Sequence, residues 1–282
     1  MRDTGAGRMD AGPRRAAGPS TATVVIAHLS DLHLGAHDAD AVERLPADVA
    51  AFGPALTVVT GDWTMRARIE EFRQARRLLD RLPRPVLAVT GNHDVPLFGP
   101  RRLIVPYTRY RRWIVPELDP VVRGAGLTAL GLQSTPRWRW ANGRISARQA
   151  DDVVRTFGAA PPGDLRLLAL HHPPLASHGR SLLGRARLIR AIEAAGVDLV
   201  LAGHTHVPDV RAATLPAGGE AYRPVAVVAG TTTSVRTRGA GLSWSLISVA
   251  GDVVVVRERY LGDSGWYTGR LVRCRLGSAA AS

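Results

Sequence analysis

Apolar residues come in short runs along this chain, and each run stops at a polar residue or a glycine. The runs are Val24–Leu29, Leu56–Thr60, Pro85–Thr90, Leu127–Leu132, Leu165–Leu170, Val197–Ala202, Val225–Ala229, Trp244–Val249 and Val253–Arg257, all dominated by Val, Leu, Ile and Ala. Apolar runs of this length without polar alternation predict strands covered on both faces. Helical periodicity fills several intervals: Ile69–Arg81, Ala147–Phe157 behind a Ser146 cap, and Ser181–Ala195 stopping at Gly196. A hairpin is expected to turn at Gly251-Asp252. Early strand–helix alternation and then a strand-rich C-terminal part predict an α/β fold, a four-layer αββα sandwich of two mixed β-sheets flanked by helices. Residues 1–21, rich in Gly, Ala, Pro and Arg, read as a disordered tail, and no internal repeat is visible. The domain is expected over 22–262, with 263–282 as an extension that loses order from about Leu276.

The runs also resemble one another at their C-terminal ends. After the first come Ser30-Asp31-Leu32-His33, after the second Gly61-Asp62, and after the third Gly91-Asn92-His93-Asp94. His171-His172-Pro173 succeeds the fifth and Gly203-His204-Thr205-His206 the sixth. Ligands of open α/β sheets bind at the carboxyl ends of strands, so five strands deliver Asp, Asn and His to one edge. Taken singly, the first three motifs pass for ordinary turns and His171-His172 for two satisfied imidazoles, while Gly203-His204-x-His206 is harder to dismiss because alternate residues of extended chain point the same way. Together they hold six of the nine histidines, leaving His28, His37 and His178 as structural or solvent-facing. Carboxylate, imidazole and amide oxygen without thiolate suit Mn, Fe or Zn rather than a Cys-type structural site. Such a cluster exceeds the needs of one ion and suits two divalent metal ions sharing a carboxylate, an arrangement matched to phosphoryl transfer.

Composition narrows the setting. One cysteine, Cys274, cannot form an internal disulfide, and no apolar run nears the roughly 20 residues of a membrane-spanning helix. The N-terminal residues carry arginines but no apolar stretch of a secretory signal, so a cytoplasmic protein is expected. The net charge of +13 comes with no lysine, all 37 basic residues being arginine, which reads as compositional bias rather than a nucleic-acid face. Nucleic acid is therefore not expected as a partner.

The series Asp31-x-His33, Gly61-Asp62, Gly91-Asn92-His93-Asp94, His171 and Gly203-His204-x-His206 resembles the calcineurin-like metallophosphoesterase superfamily, in the family's order. The spelling SDLHLG and the HHPP block make it look most like bacterial members of the cyclic-nucleotide and glycerophosphodiester type. The resemblance implies one ion held by Asp31, His33, Asp62 and His206, and a second held by Asp62, Asn92, His171 and His204, with Asp62 bridging. It implies that His93 contacts the phosphate and helps protonate the leaving group, with Asp94 hydrogen-bonded to His93 to set its tautomer. In the His171-His172 pair, His171 is favoured because it comes directly off the strand, and His172 is the alternative. The expected activity is hydrolysis of a small phosphodiester by a metal-activated hydroxide. Alternatives are a phosphomonoesterase or nuclease with the same centre, or a non-catalytic metal- or nucleic-acid-binding module.

A cap-like insert over about 97–117 is distinctive. Arg101, Arg102, Arg109, Arg111 and Arg112 alternate there with Ile104, Tyr107, Tyr110 and Trp113, and Arg137-Trp138-Arg139-Trp140 repeats the theme. These segments are expected either to pack down on the domain, to bind a phosphate-bearing substrate, or to touch anionic phospholipid at a membrane surface. Oligomeric state is not legible.

Overall fold

The computed structural model describes residues 23–175, 182–213, 215–217 and 220–278. The expected tail over 1–21, His178 and the chain's last residues lie outside this set. In chain order the elements begin β1 (Val24–Leu29), α1 (Ala39–Ala50), β2 (Leu56–Val59), α2 (Ile69–Arg81), β3 (Val86–Ala88), α3 (Pro100–Ile104) and α4 (Thr108–Trp113). The middle holds β4 (Val121–Gly124), β5 (Leu127–Leu132), β6 (Gly143–Arg144), α5 (Ala147–Gly158), β7 (Leu165–Leu170), β8 (Leu182–Leu183), α6 (Arg185–Ala195) and β9 (Leu199–Ala202). The rest is β10 (Asp209–Ala212), β11 (Leu215–Ala217), β12 (Glu220–Arg223), β13 (Val225–Val228), β14 (Ser243–Ala250), β15 (Val253–Gly262), β16 (Gly265–Arg275) and β17 (Gly277–Ser278).

Two six-stranded mixed sheets dominate. The first runs β16-β15-β14-β1-β2-β3, parallel from β1 to β3 and antiparallel elsewhere. The second runs β10-β13-β9-β7-β5-β4, parallel from β13 to β5 with antiparallel edges. Alternation along the strands builds the layers. Ile26, Val58 and Leu87 of the first sheet share a cluster with Ala129, Leu167, Leu201 and Val227 of the second, so this core lies between the sheets. The neighbouring positions Ala27, Val59 and Ala88 pack with Leu45, Val49, Phe72 and Leu79 of α1 and α2. On the opposite side Leu130, Leu168 and Val200 pack with Val153, Phe157, Leu188 and Ile192 of α5 and α6. Helix, sheet, sheet, helix is the expected four-layer order. Each Val, Leu, Ile or Phe among them contributes about 1.5–3 kcal/mol when taken from water, and each Ala less.

Three local differences have physical reasons. The helix expected from Ser181 begins only at Arg185, because Leu182-Leu183 pairs in parallel with Gly143-Arg144. Gly184 then turns the chain at φ +81, where a Cβ would overlap the Ile145 carbonyl oxygen. Helix α1 is not visible in the apolar pattern, since Pro46 sits inside it and breaks the helical signal. It nevertheless forms behind Asp38, whose side chain accepts the Ala41 N–H at 2.8 Å, and buries Leu45, Pro46 and Val49. Finally, β16 lies in the segment set apart as an extension, yet pairs with β15 from Val253↔Arg275 to Gly262↔Gly265. Its Val272 and Cys274 pack on the central core, while outward Arg270, Arg273 and Arg275 dilute the apolar pattern. The hairpin turn at Gly251-Asp252 forms as expected, with Gly251 at φ +57.

Candidate metal centre

The carboxyl ends of β1, β2, β3, β7 and β9 meet at one edge of the sandwich. Past β1, the Asp31 N–H reaches the Gly61 carbonyl at 3.1 Å and the His33 N–H the Asp62 carbonyl at 2.8 Å. The two turns are thus tied to each other. Five of the expected site residues take left-handed backbone: Asp31 (φ 52), His33 (φ 47), Asp62 (φ 53), His204 (φ 72) and His206 (φ 62). Non-glycine residues seldom do so, and each costs on the order of 1 kcal/mol or more. The motif glycines supply room: a Cβ at Gly91 would overlap Asp62 Oδ1, and one at Gly203 would overlap Ser30 Oγ.

Asp31, His33, Asp62 and His206, all buried, bring one ligand atom each within 4.8 Å of one another. His206 Nε2 lies 3.2 Å from Asp31 Oδ1 and 3.2 Å from His33 Nε2, which is 3.5 Å from Asp62 Oδ2. The same Asp62 Oδ2 lies 3.4 Å from His171 Nε2. His171 Nε2 is in turn 3.1 Å from Asn92 Oδ1 and 3.1 Å from His204 Nδ1. Asp62 therefore stands between two donor groups, each drawing side chains from both sheets.

Tautomers are set at the far ring nitrogens. His171 Nδ1–H donates to the Thr60 carbonyl at 2.8 Å and His206 Nδ1–H to the Arg236 carbonyl at 2.7 Å, which turns a lone pair of each Nε2 inward. His171 Nε2, Asn92 Oδ1 and Asp62 Oδ2 then converge as acceptors without a hydrogen among them. Such a group needs positive charge at its centre. Burial by itself would lower the His171 pKa, but Asp62 outweighs it and raises the value to about 9. Asp31 is likewise held well below the usual carboxylate range, its burial outweighed by His206 and His33. Oxygen and imidazole donors converging in this way fit divalent cations.

His93 sits beside this array, its ring edge-on to His33 with centroids 4.6 Å apart. Its N–H donates to Asp62 Oδ1 at 2.8 Å, and its Nδ1–H donates to the Met65 carbonyl at 2.7 Å. That carbonyl sets the tautomer, so the expected Asp94–His93 hydrogen bond is not formed. Asp94 instead accepts from the N–H of Thr64 and of Gly91, both at 2.9 Å, and from Thr64 Oγ1 at 3.1 Å. Burial, and next to it Asp62, push its pKa up to about 7. It shapes the turn rather than the histidine. His172 packs against His204, ring centroids 4.6 Å apart, and its Nδ1 meets Ser134 Oγ at 2.9 Å, while burial, then His171 and His204, hold its pKa well below the usual value. His28 is buried on Thr60 Oγ1 at 2.9 Å.

Sequence reasoning missed the support behind Asp31 and His33. Thr231 Oγ1 donates to the Asp31 carbonyl and Thr233 Oγ1 to the Leu32 carbonyl, both at 2.7 Å, while Thr232 Oγ1 accepts the Ser30 N–H at 3.0 Å. The available signal was four hydroxyl residues in a row, Thr231 to Ser234, shortly after an apolar strand.

The insert folds down on α2. Tyr110 and Ile114 join the cluster under the first sheet, Arg109 donates to the Ala67 carbonyl at 2.6 Å, and Tyr107 to the Thr135 carbonyl at 2.6 Å. Arg102 reaches the Pro96 and Arg139 carbonyls at 2.8 and 2.7 Å, and Arg111 the Pro116 carbonyl at 2.7 Å. Three of its five arginines thus donate to the chain's own backbone.

A family model described as calcineurin-like phosphoesterase matches residues 24–208. A cAMP/cGMP dual specificity phosphodiesterase of Mycobacterium tuberculosis is 29% identical over 210 residues, 64% of this chain and 61% of that protein. A probable cyclic nucleotide phosphodiesterase of Rhodococcus erythropolis is 29% identical over 207 residues, 64% of each chain. The matched region thus spans less than two thirds of either relative. Among solved structures, a purple acid phosphatase from yellow lupin seeds superposes with a TM-score of 0.66 at 11% identity, covering 91% of this chain and 54% of that one, a likeness of fold.

Proposed function

The chain belongs to the calcineurin-like phosphoesterase family, and from that premise we propose that it is a metal-dependent phosphodiesterase acting on a cyclic nucleotide. The observation that carries this reading is Asp62 Oδ2, 3.5 Å from His33 Nε2 on one side and 3.4 Å from His171 Nε2 on the other. Asp31, His33, Asp62 and His206 would hold one divalent ion, and Asp62, Asn92, His171 and His204 the second. Mn, Fe or Zn fits these donors. Two such ions supply activation of water at neutral pH and neutralisation of the phosphoryl oxygens.

The chain's own residues do the rest. The carbonyls of Thr60 and Arg236 keep the inward nitrogens of His171 and His206 free of protons once the ions are bound. The Met65 carbonyl takes the Nδ1–H of His93 and so orients the ring; a second proton, carried on Nε2, would contact the phosphate and pass to the leaving oxygen. The phosphodiester class rests on the two relatives' names, and the cyclic nucleotide with it. The single cysteine supports a cytoplasmic setting, and among the described residues no helix is long and apolar enough to cross a membrane.

The test is hydrolysis of cyclic AMP, an aryl phosphodiester and an aryl phosphomonoester by purified protein of known metal content. Activity should vanish with EDTA, return with Mn²⁺, and favour the diesters. Undiminished turnover by metal-free protein overturns the metal mechanism, and a preference for the monoester overturns the substrate class.

A further inference from the structure

The insert and the 137–144 loop form one platform. The Phe98 and Trp140 rings meet edge to face at 4.6 Å, and the Arg102 guanidinium lies 5.6 Å from the Trp140 ring centre. Arg137 donates to the Leu103 carbonyl at 2.7 Å, and Arg144 lies over Trp138 at 5.3 Å. Large apolar side chains on this platform face outward: Ile104 is 73% exposed, Phe98 67%, Trp138 53% and Trp140 50%, with Leu97, Leu103 and Val105 beside them. Scattered exposed apolar residues are ordinary, but a contiguous group marks a contact surface. Around it, residues 95–116 and 133–144 carry eight arginines and no carboxylate. Arg101, Arg111, Arg112, Arg137 and Arg144 of these are exposed, while Arg102 is buried on the Pro96 and Arg139 carbonyls.

We infer that this platform docks on an anionic lipid surface. Aliphatic side chains at the tip can enter the boundary between headgroups and acyl chains, tryptophans suit that boundary, and the arginines meet lipid phosphates. Charge argues against a second copy of the chain, since a two-fold contact would set the same arginine-rich segments against themselves. A nucleotide base could stack on Trp138 or Trp140 but would leave the exposed aliphatic Leu97, Leu103, Ile104 and Val105 without a partner. The inference does not depend on the reaction, and its test reads binding alone.

The experiment is co-sedimentation of the full chain with vesicles of phosphatidylcholine, with and without phosphatidylglycerol, at low and high salt. Binding is expected only to the anionic vesicles and should fall with salt. Arg101→Gln and Arg137→Gln should each cut partitioning about fivefold, and Ile104→Asp about tenfold or more. Brominated lipid should quench tryptophan fluorescence, and the quenching should shrink in the Trp138→Phe/Trp140→Phe double variant. Metal content and melting temperature act as folding controls. No binding to anionic vesicles at low salt overturns the inference, as does binding that Ile104→Asp leaves unchanged in a folded protein. Concentration-dependent self-association abolished by Ile104→Asp, without vesicle binding, would assign the patch to a second copy instead.

Discussion

Asp62 uses both carboxylate oxygens: Oδ1 accepts the His93 N–H at 2.8 Å, and Oδ2 faces His33 and His171. Asp62→Asn removes the charge that balances both donor groups, so bound metal should fall at both positions and the rate by about two orders of magnitude or more. Metal analysis of the purified variant decides this; a fully loaded, near-normal enzyme would rule out the shared role. His93 is different, since only its backbone touches Asp62 and its ring is held by Met65. His93→Ala is expected to keep its metal and lose about 10²- to 10⁴-fold in rate, less for substrates with good leaving groups. Loss of metal in that variant would make His93 a ligand.

Among the elements, the connection between β13 and β14 does unexpected work by gripping the turn after β1. Thr231→Val leaves the buried Asp31 carbonyl without its hydroxyl partner, a loss of about 1–3 kcal/mol. The fold should survive, and metal affinity read by titration should drop about tenfold, with Thr231→Ser restoring it. An unchanged affinity would mean that the turn holds itself. The pattern of the chain made β1, β5 and β7 legible to the residue, because both faces of each are covered and the run of apolar residues is unbroken. Histidines, carboxylates and amides clustering at strand ends made the site legible as well. Apart from the hydroxyl run Thr231 to Ser234, the support of the site has little residue-level signature. Met65 and Arg236 act through carbonyls, which every residue has, and the threonine grip is specified by contact across the fold. Pro46 masked α1, and outward arginines masked β16. The hydrogen bond between Asp94 and His93 that the resemblance implied is replaced by His93 on the Met65 carbonyl and Asp94 on Thr64 and Gly91.

For the molecule as a whole, the centre lies across the two sheets: Asp31, His33, Asp62 and Asn92 come after strands of the first, and His171, His204 and His206 after strands of the second. Ions bound there would tie the sandwich at one edge, and a ligand that binds only the folded state stabilises it by mass action. Metal-loaded protein should therefore melt on the order of 5–10 °C above EDTA-treated protein at an excess of about 100 times the dissociation constant; equal melting temperatures would show that the sheets need no such tie. The left-handed conformations of Asp31, His33, Asp62, His204 and His206 add a further consequence, which concerns how such a protein evolves. At these positions the backbone prefers glycine while the chemistry demands a ligand. In the metal-free state His206→Gly should be more stable than His206→Ala by about 1 kcal/mol, the reverse of the usual order in regular structure. A lineage no longer selected for hydrolysis would thus slide toward glycine at these turns, keeping the sandwich while its histidines disappeared.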